Sequence, residues 1–350
     1  MIKMINYETL FLMPPFALCQ TDKDELYKQA IMELSQHHYE HCEKYRKLSI
    51  ILGLGMALPV RLFKEYDLLS IDEKQILKTM TSSGTTGQAV SKIFLDRETA
   101  ARQTKALSKI TSDFTGKARM PLLVIDSVAV LKNRDMFSAR GAGILGFSML
   151  GRDVTYALDE NMNLNLQVIE DFCKKHSGEK ILVFGFTFMI WEHFYLALKR
   201  RDISFSMNGV MIHGGGWKKL VDLSVDNDTF KNGIRSMTGI DHVLNYYGMV
   251  EQTGSIFMEC EYGHLHASIF SDVSIRDPLD FSELKRGRGL IQCTSLLPTS
   301  YPGHILLTED EGEILGVDDC PCGRLGKYFK VYGRVKGAEI RGCSDTYERR

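Results

Sequence analysis

Thr81-Ser82-Ser83-Gly84-Thr85-Thr86-Gly87 is the stretch on which the reading of the fold turns. Every position in it is a hydroxyl-bearing residue or a glycine. It lies between a charged approach at 71–78 and an alternating, strand-like run at 89–95. Glycines allow a tight backbone that aims several N–H groups at one point, and the hydroxyls add donors that rotate to fit. Such a nest suits phosphate oxygens. No Gly-Lys-Ser/Thr follows, so it is not a Walker A loop. Composition alone leaves a solvated hairpin loop equally open.

Outward from that loop, helices and short apolar strands alternate. Residues 21–48 read as one helix, with Thr21 and Asp24 as a capping box and Leu26, Ala30 and Leu34 on one face. His37, His38 and His41 read as its solvated side, with a metal pair through His37 and His41 as the alternative. Asp96 is placed to cap a helix over 96–110. Strands are expected at 122–126, 180–186, 210–213 and 242–246, and helices at 162–176 and 187–200. This alternation gives an α/β layered fold, whose ligands bind beyond the carboxyl ends of the strands. Gly185, Gly214-Gly215-Gly216 and Tyr247-Gly248 fall at those ends. After Ser255 the pattern changes to a β-rich subdomain with Pro298 and Pro302. The expected division is therefore a core over 1–254, a β-rich subdomain over 255–332 and a tail over 333–350.

The chain has 350 residues, 44% hydrophobic, enough for a large core. Its 43 basic and 44 acidic residues leave a net charge of -1, which offers nucleic acid no electrostatic footprint. The longest apolar stretches, 50–60 and 181–191, fall short of the roughly 18 residues of a membrane span. The N-terminus is broken by polar residues and lacks a signal peptide's apolar centre, so a soluble, cytoplasmic protein is expected. The eight cysteines have no small-domain disulfide spacing, which leaves thiols or metal ligands.

Four constellations carry chemistry. Tyr246-Tyr247-Gly248-Met249-Val250-Glu251 follows a strand. A ring before a glycine can stack on a purine, and a carboxylate one turn on can hold a Mg²⁺ that bridges phosphates. A core tyrosine beside an exposed glutamate fits the same letters. His213-Gly214-Gly215-Gly216 lets a planar ligand lie on bare backbone, or is simply a turn that needs positive φ. Cys260, His266, Cys320 and Cys322 form a candidate structural zinc set, with His264 as a rival ligand. Phe184, Phe186, Phe188 and Trp191 suit an acyl tunnel, but core is the expectation for most of them.

The hydroxyl-rich loop and the Tyr247-Gly248-x-x-Glu251 segment together resemble the adenylate-forming superfamily, with Val250 where Thr is usual. The resemblance implies that Thr81, Ser82, Ser83, Gly84, Thr85, Thr86 and Gly87 bind the phosphates of ATP. It places adenine on Tyr247 and Gly248, with Gly214, Gly215 and Gly216 lining the pocket, and Mg²⁺ on Glu251. Leu307-Thr308-Glu309-Asp310 resembles the ribose-binding segment, with Asp310 as its acid and Asp318 and Asp319 as competitors. Gly333-Arg334 resembles the hinge, where Arg334 would contact nucleotide. Cys320-Pro321-Cys322-Gly323-Arg324 is similar to a segment of phenylacetate-CoA ligases, a branch with comparable Cys/His sets.

Past the hinge the chain runs to Arg341-Gly342-Cys343-Ser344-Asp345-Thr346-Tyr347 and stops at Arg350. The mobile C-terminal domain that follows the hinge in CoA ligases is expected to be absent. Together with Leu62-Phe63-Lys64 and Ile212-His213-Gly214-Gly215-Gly216-Trp217-Lys218-Lys219, this ending resembles the acyl-protein synthetases of bacterial bioluminescence fatty-acid reductase complexes. The resemblance implies ATP-dependent activation of a long-chain fatty acid, transfer to Cys343 as a thioester, and delivery to an acyl reductase subunit. A free thiol is only a few per cent thiolate near neutrality, and flanking Arg341 raises that fraction. An aryl- or acyl-CoA ligase and a nucleotide-binding subunit without chemistry are the competing readings.

Overall fold

The computed structural model describes residues 5–82, 89–131, 137–217 and 224–335. Compactness groups them into two units. One gathers 5–82, 89–114 and 248–335, and the other holds 115–131, 137–217 and 224–247. The contiguous division at 254 follows composition, whereas compactness brings distant segments together.

The second unit is built on five parallel strands. Their order is His242–Tyr247, Gly209–Gly214, Ile181–Phe186, Met120–Ser127 and Gly151–Leu158. Ile181–Phe186 and Met120–Ser127 are buried at every position, which is why they read as continuous apolar runs rather than alternating ones. Helix Leu166–Lys175 starts four residues later than the pattern suggested. Asp159 Oδ1 accepts the backbone N–H groups of Asn161 and Asn163, both at 2.8 Å, and holds a turn there instead. Helix Asn227–Thr238 is capped by Asp226, whose Oδ1 accepts from Thr229 N at 2.8 Å. The run expected as one helix over 187–200 contains a π-helical turn, Ile190–Tyr195.

The first unit carries an antiparallel sheet in the order Glu283–Leu284, Ser271–Arg276, Gly289–Ser295, Ile305–Val317, Lys327–Arg334, Leu265–His266 and Phe257–Glu259. Leu58–Pro59 adds in parallel to Ile305–Val317. The expected helix over 21–48 is two helices, Gln20–His41 and Glu43–Leu52, because Cys42 adopts an extended φ of -119°. No capping box forms at Thr21, since the cap residue is Cys19 and the Asp24 carboxylate accepts from Gln20 Nε2 at 2.7 Å. Tyr27 OH donates to Ile269 O at 3.1 Å and Lys23 Nζ to Ala267 O at 3.3 Å, tying the long helix to the β-rich segment.

His38 is a further correction, for it is fully buried rather than solvated. Its ring lies 4.8 Å from that of His304, with Ser70 Oγ at 2.7 Å from Nδ1. Asp96 caps helix Arg97–Thr115 as expected, accepting from Thr99 N at 2.7 Å. Among the described residues no helix is long and apolar enough to cross a membrane.

Candidate functional site

Of the hydroxyl-rich loop, Thr81 and Ser82 are described, whereas Ser83, Gly84, Thr85, Thr86 and Gly87 lie outside the described residues. Strands Lys78–Thr81 and Lys92–Leu95 pair antiparallel, with Thr81 opposite Lys92. Ser82 N donates to Ser91 O at 3.0 Å, and Ser91 N donates back to Ser82 Oγ at 2.8 Å. The loop therefore springs from a closed hairpin base. Cys343 also lies outside the described residues.

In the second unit the glycine turn has a clear steric cause. A methyl group on Gly214 would stand 2.4 Å from the Tyr246 ring, so only bare backbone fits there. Gly215 has φ +78°, and a methyl group there would stand 3.2 Å from the Phe186 ring. Phe147 stacks on Phe184 at 4.2 Å and meets Tyr246 at 5.3 Å. Phe184, Phe186 and Trp191 are buried, in line with the core expectation. Tyr247 closes its strand half-buried.

His213 and Thr187 add a pair that motif reading did not single out. Thr187 Oγ1 donates to Gly214 O at 3.1 Å, so the 3.0 Å contact from His213 Nδ1 is an N–H donated to that hydroxyl. Nε2 is left as an acceptor with no hydrogen-bond partner among the described residues. Burial first, and Lys231 second, pull the imidazole down to about 3, so it is neutral. A polar pair at the carboxyl end of two parallel strands was the available signal.

In the first unit Gly248 is exposed and Glu251 sits in the 3-10 turn Val250–Gln252, only 4% exposed. Distant residues hold that turn. Gln252 Nε2 donates to Gly303 O at 2.8 Å and Cys293 O at 3.2 Å. Tyr301 OH donates to Glu251 O at 2.8 Å and accepts from Gln103 Nε2 at 3.2 Å. Burial pushes the Tyr301 phenol far up, which keeps it a donor. Gly254, at φ +87°, leaves no room for a side chain, because a methyl would stand 2.4 Å from Gln103 O.

Asp310 and Arg334 are brought together, since they pair across the antiparallel ladder. Arg334 Nε lies 3.7 Å from Asp310 Oδ1, and its NH1 lies 3.3 Å from Glu309 Oε2. The competitor Asp318 is committed to a turn, its Oδ1 accepting from Gly326 N at 2.6 Å and its Oδ2 from Gln20 N at 2.9 Å. Asp319 lies against the Tyr328 hydroxyl.

Cys260, His266, Cys320 and Cys322 converge, with their ligand atoms all within 4.8 Å of one another. Cys260 Sγ lies 3.9 Å from Cys320 Sγ, and Cys322 Sγ lies 3.4 Å from His266 Nε2. A tetrahedral zinc sets S–S edges of about 3.8 Å and S–N edges of about 3.5 Å, so the donor set fits that ion. His264 stands just outside, its Nδ1 3.3 Å from Cys320 Sγ. Two short loops make the cluster, turning at Gly263, φ +77°, and Gly323, φ +79°. Burial pushes the Cys320 thiol up to about 12 and, with Arg324 and His264, pulls His266 down to about 4.

A sequence model of the family described as "Acyl-protein synthetase, LuxE" matches residues 4–350. The chain is 22% identical over 361 residues to a Vibrio harveyi protein named long-chain-fatty-acid–luciferin-component ligase, covering 96% of this chain and 91% of that protein. A Photorhabdus luminescens protein of the same name is 27% identical over 90 residues, 23% of this chain and 77% of that one. Among solved structures, 2-hydroxyisobutyryl-CoA ligase in the postadenylation state with R3-HIB-AMP superposes with a TM-score of 0.67 at 14% identity. That match covers 92% of this chain and 69% of the ligase. Its open conformation with 2-HIB-AMP and CoA gives 0.67 at 15% identity, covering 93% and 77%. These likenesses show the fold, an α/β one shared with adenylate-forming ligases.

Proposed function

The chain belongs to the acyl-protein synthetase (LuxE) family, and from that premise we propose a cytoplasmic ligase that activates a long-chain fatty acid with ATP and carries it as a thioester on Cys343. The observation that carries the reading is the family match over residues 4–350. The name of the Vibrio harveyi relative supports a long-chain fatty acid as the substrate, and delivery to an acyl reductase subunit is part of the same proposal.

On this reading residues 81–87 bind the triphosphate and the Gly214-Gly215-Gly216 backbone lines the pocket. Tyr247 and Gly248 contact adenine, while Asp310 and Arg334 take the ribose and the nucleotide. Glu251 would hold Mg²⁺, which supplies charge neutralisation on the phosphates. A carboxylate oxygen of the acid bonds to the α-phosphorus as the bond to pyrophosphate breaks, giving the acyl-adenylate. The Cys343 sulfur, deprotonated to solvent, then bonds to the acyl carbon as AMP leaves with the electron pair of the anhydride bond. Cys260, His266, Cys320 and Cys322 would hold a structural Zn²⁺ that pins Leu265–His266 to the connection between Ile305–Val317 and Lys327–Arg334. Elemental analysis of the purified chain tests this, with about one zinc per chain expected and Cys322→Ser depleted of it.

Intact mass spectrometry after incubation with ATP, Mg²⁺ and a panel of fatty and aromatic acids tests the main reading. An acid-sized mass gain, removed by hydroxylamine and missing in Cys343→Ser, is the expected result. Pyrophosphate release with no mass gain, together with thioester formed on added coenzyme A, would give the chain to the CoA-ligase class instead. ATP binding without pyrophosphate release would leave a nucleotide-binding subunit.

A further inference from the structure

Helix Glu43–Leu52 ends in an apolar tip that faces water. Ile50, Ile51, Leu52 and Leu54 are 70%, 78%, 62% and 48% exposed. The helix is anchored by Tyr45 and Ser49, which are buried. Gly53, at φ +96°, ends the helix, and the exposed Leu54 follows it. Single exposed leucines are ordinary on any surface, but four large aliphatic residues within five positions form a patch that calls for an occupant.

Charge says which occupant fits. Residues 43–54 carry three basic side chains, Lys44, Arg46 and Lys47, against one acid, Glu43, in a chain whose net charge is -1. Lys44 and Lys47 are exposed and Arg46 is half-exposed. Glu43 pairs with Lys47 at 2.6 Å on the open surface. Lys44 Nζ reaches Asp67 O at 3.1 Å and lies 5.7 Å from the centre of the half-exposed Tyr66 ring. Lys47 therefore sits one helical turn, about 5.4 Å, behind Ile50 and Ile51, and Lys44 nearly one turn further back. An interfacial segment buries its apolar face about 5–10 Å deep, which brings cations so placed to the level of the lipid phosphates. Protein interfaces avoid Lys, and this patch carries Lys44 and Lys47 on its exposed side.

We infer that the tip of helix Glu43–Leu52 is a docking site for an anionic lipid-bilayer surface. The inference rests on this patch alone and stands apart from the acyl-protein reading. Docking lays the tip into one leaflet and leaves the rest of the chain in water.

Co-sedimentation of the full chain with vesicles tests it, using phosphatidylcholine alone and phosphatidylcholine mixed with phosphatidylglycerol. The chain is expected to pellet with the mixed vesicles at low salt and to be released as salt rises. The double substitution Ile50→Ser with Ile51→Ser should abolish pelleting. Lys44→Gln and Lys47→Gln should each weaken it about fivefold, the effect of one basic residue near an anionic surface. Circular dichroism reports folding, and if the serine variant does not fold, the lysine variants and the salt series decide. Three results overturn the inference. They are no pelleting with mixed vesicles, pelleting that none of the substitutions changes, and a wild-type dimer that the serine pair makes monomeric while no vesicle is bound.

Discussion

The Tyr301 hydroxyl joins three segments that lie far apart in sequence. It accepts from Gln103 and donates to the backbone carbonyl of Glu251, the acid proposed to hold the metal of the nucleotide. Tyr301→Phe keeps the ring and leaves a buried amide and a buried carbonyl without their partner, a cost of about 1–3 kcal/mol. The expected outcome is a lower melting temperature and slower ATP–pyrophosphate exchange. A variant with unchanged exchange would reduce Tyr301 to a packing residue. Gly214→Ala is a second test at this scale. Its methyl would meet the Tyr246 ring at 2.4 Å, so the ring must move. A loss of about 1–3 kcal/mol in stability is expected from denaturant melts, with weaker ATP binding by calorimetry. The glycines and Glu251 could be singled out as candidates because each is a local letter in a local motif. Gln252 and Tyr301 could not be, since their partners lie 41 to 198 residues away and no spacing rule links them.

Elements were legible where one force dominated. The parallel strands announce themselves as unbroken apolar runs because both faces are covered. The helix over 21–48 was misread because its periodicity continues across Cys42, where the backbone alone changes direction. His38 was misread because a histidine on a polar-looking face carries no sign of the wall that His304, Ser70 and Pro298 build around it. That burial has a pH consequence. His38 lies well below its ordinary value, and His304 is pulled down to about 3 by burial and by His37. Both rings are neutral when folded and protonate near 6.5 once unfolded. The unfolded chain therefore binds more protons between about pH 6.5 and 3, and stability falls as pH drops through that window. Each buried histidine contributes a slope of about 1.4 kcal/mol per pH unit. Denaturant melts across the window should show this decline, and His304→Asn should flatten it by about one proton's worth. An unchanged slope in the variant would place the titrating groups elsewhere.

Across the whole molecule, order along the chain and compactness part company. The β-rich segment after 255 packs with helix Gln20–His41 through contacts such as Gln20 N to Asp318 Oδ2 at 2.9 Å. Tyr7 OH likewise donates to Leu296 O at 2.6 Å. Composition shifts mark where a pattern changes, but they do not record which segments later meet, so the α/β class was legible and the grouping was not. A chain gathered this way should register a ligand globally, because binding to the folded state alone stabilises all of it by mass action. ATP with Mg²⁺ at about 100 times its dissociation constant adds about 2.7 kcal/mol. Scanning calorimetry should therefore show a rise of a few degrees in the melting temperature of the wild-type chain, larger with Mg²⁺ than without. Glu251→Gln should keep a rise with ATP and lose the Mg²⁺-dependent part, since an amide oxygen is a poor substitute for a carboxylate toward a hard cation. Arg334→Ala should lower the rise with and without the metal, because it removes a cation proposed to meet the nucleotide itself. If Glu251→Gln instead retains the full Mg²⁺-dependent rise, the metal is held elsewhere, and the buried position of Glu251 is a matter of the turn it closes.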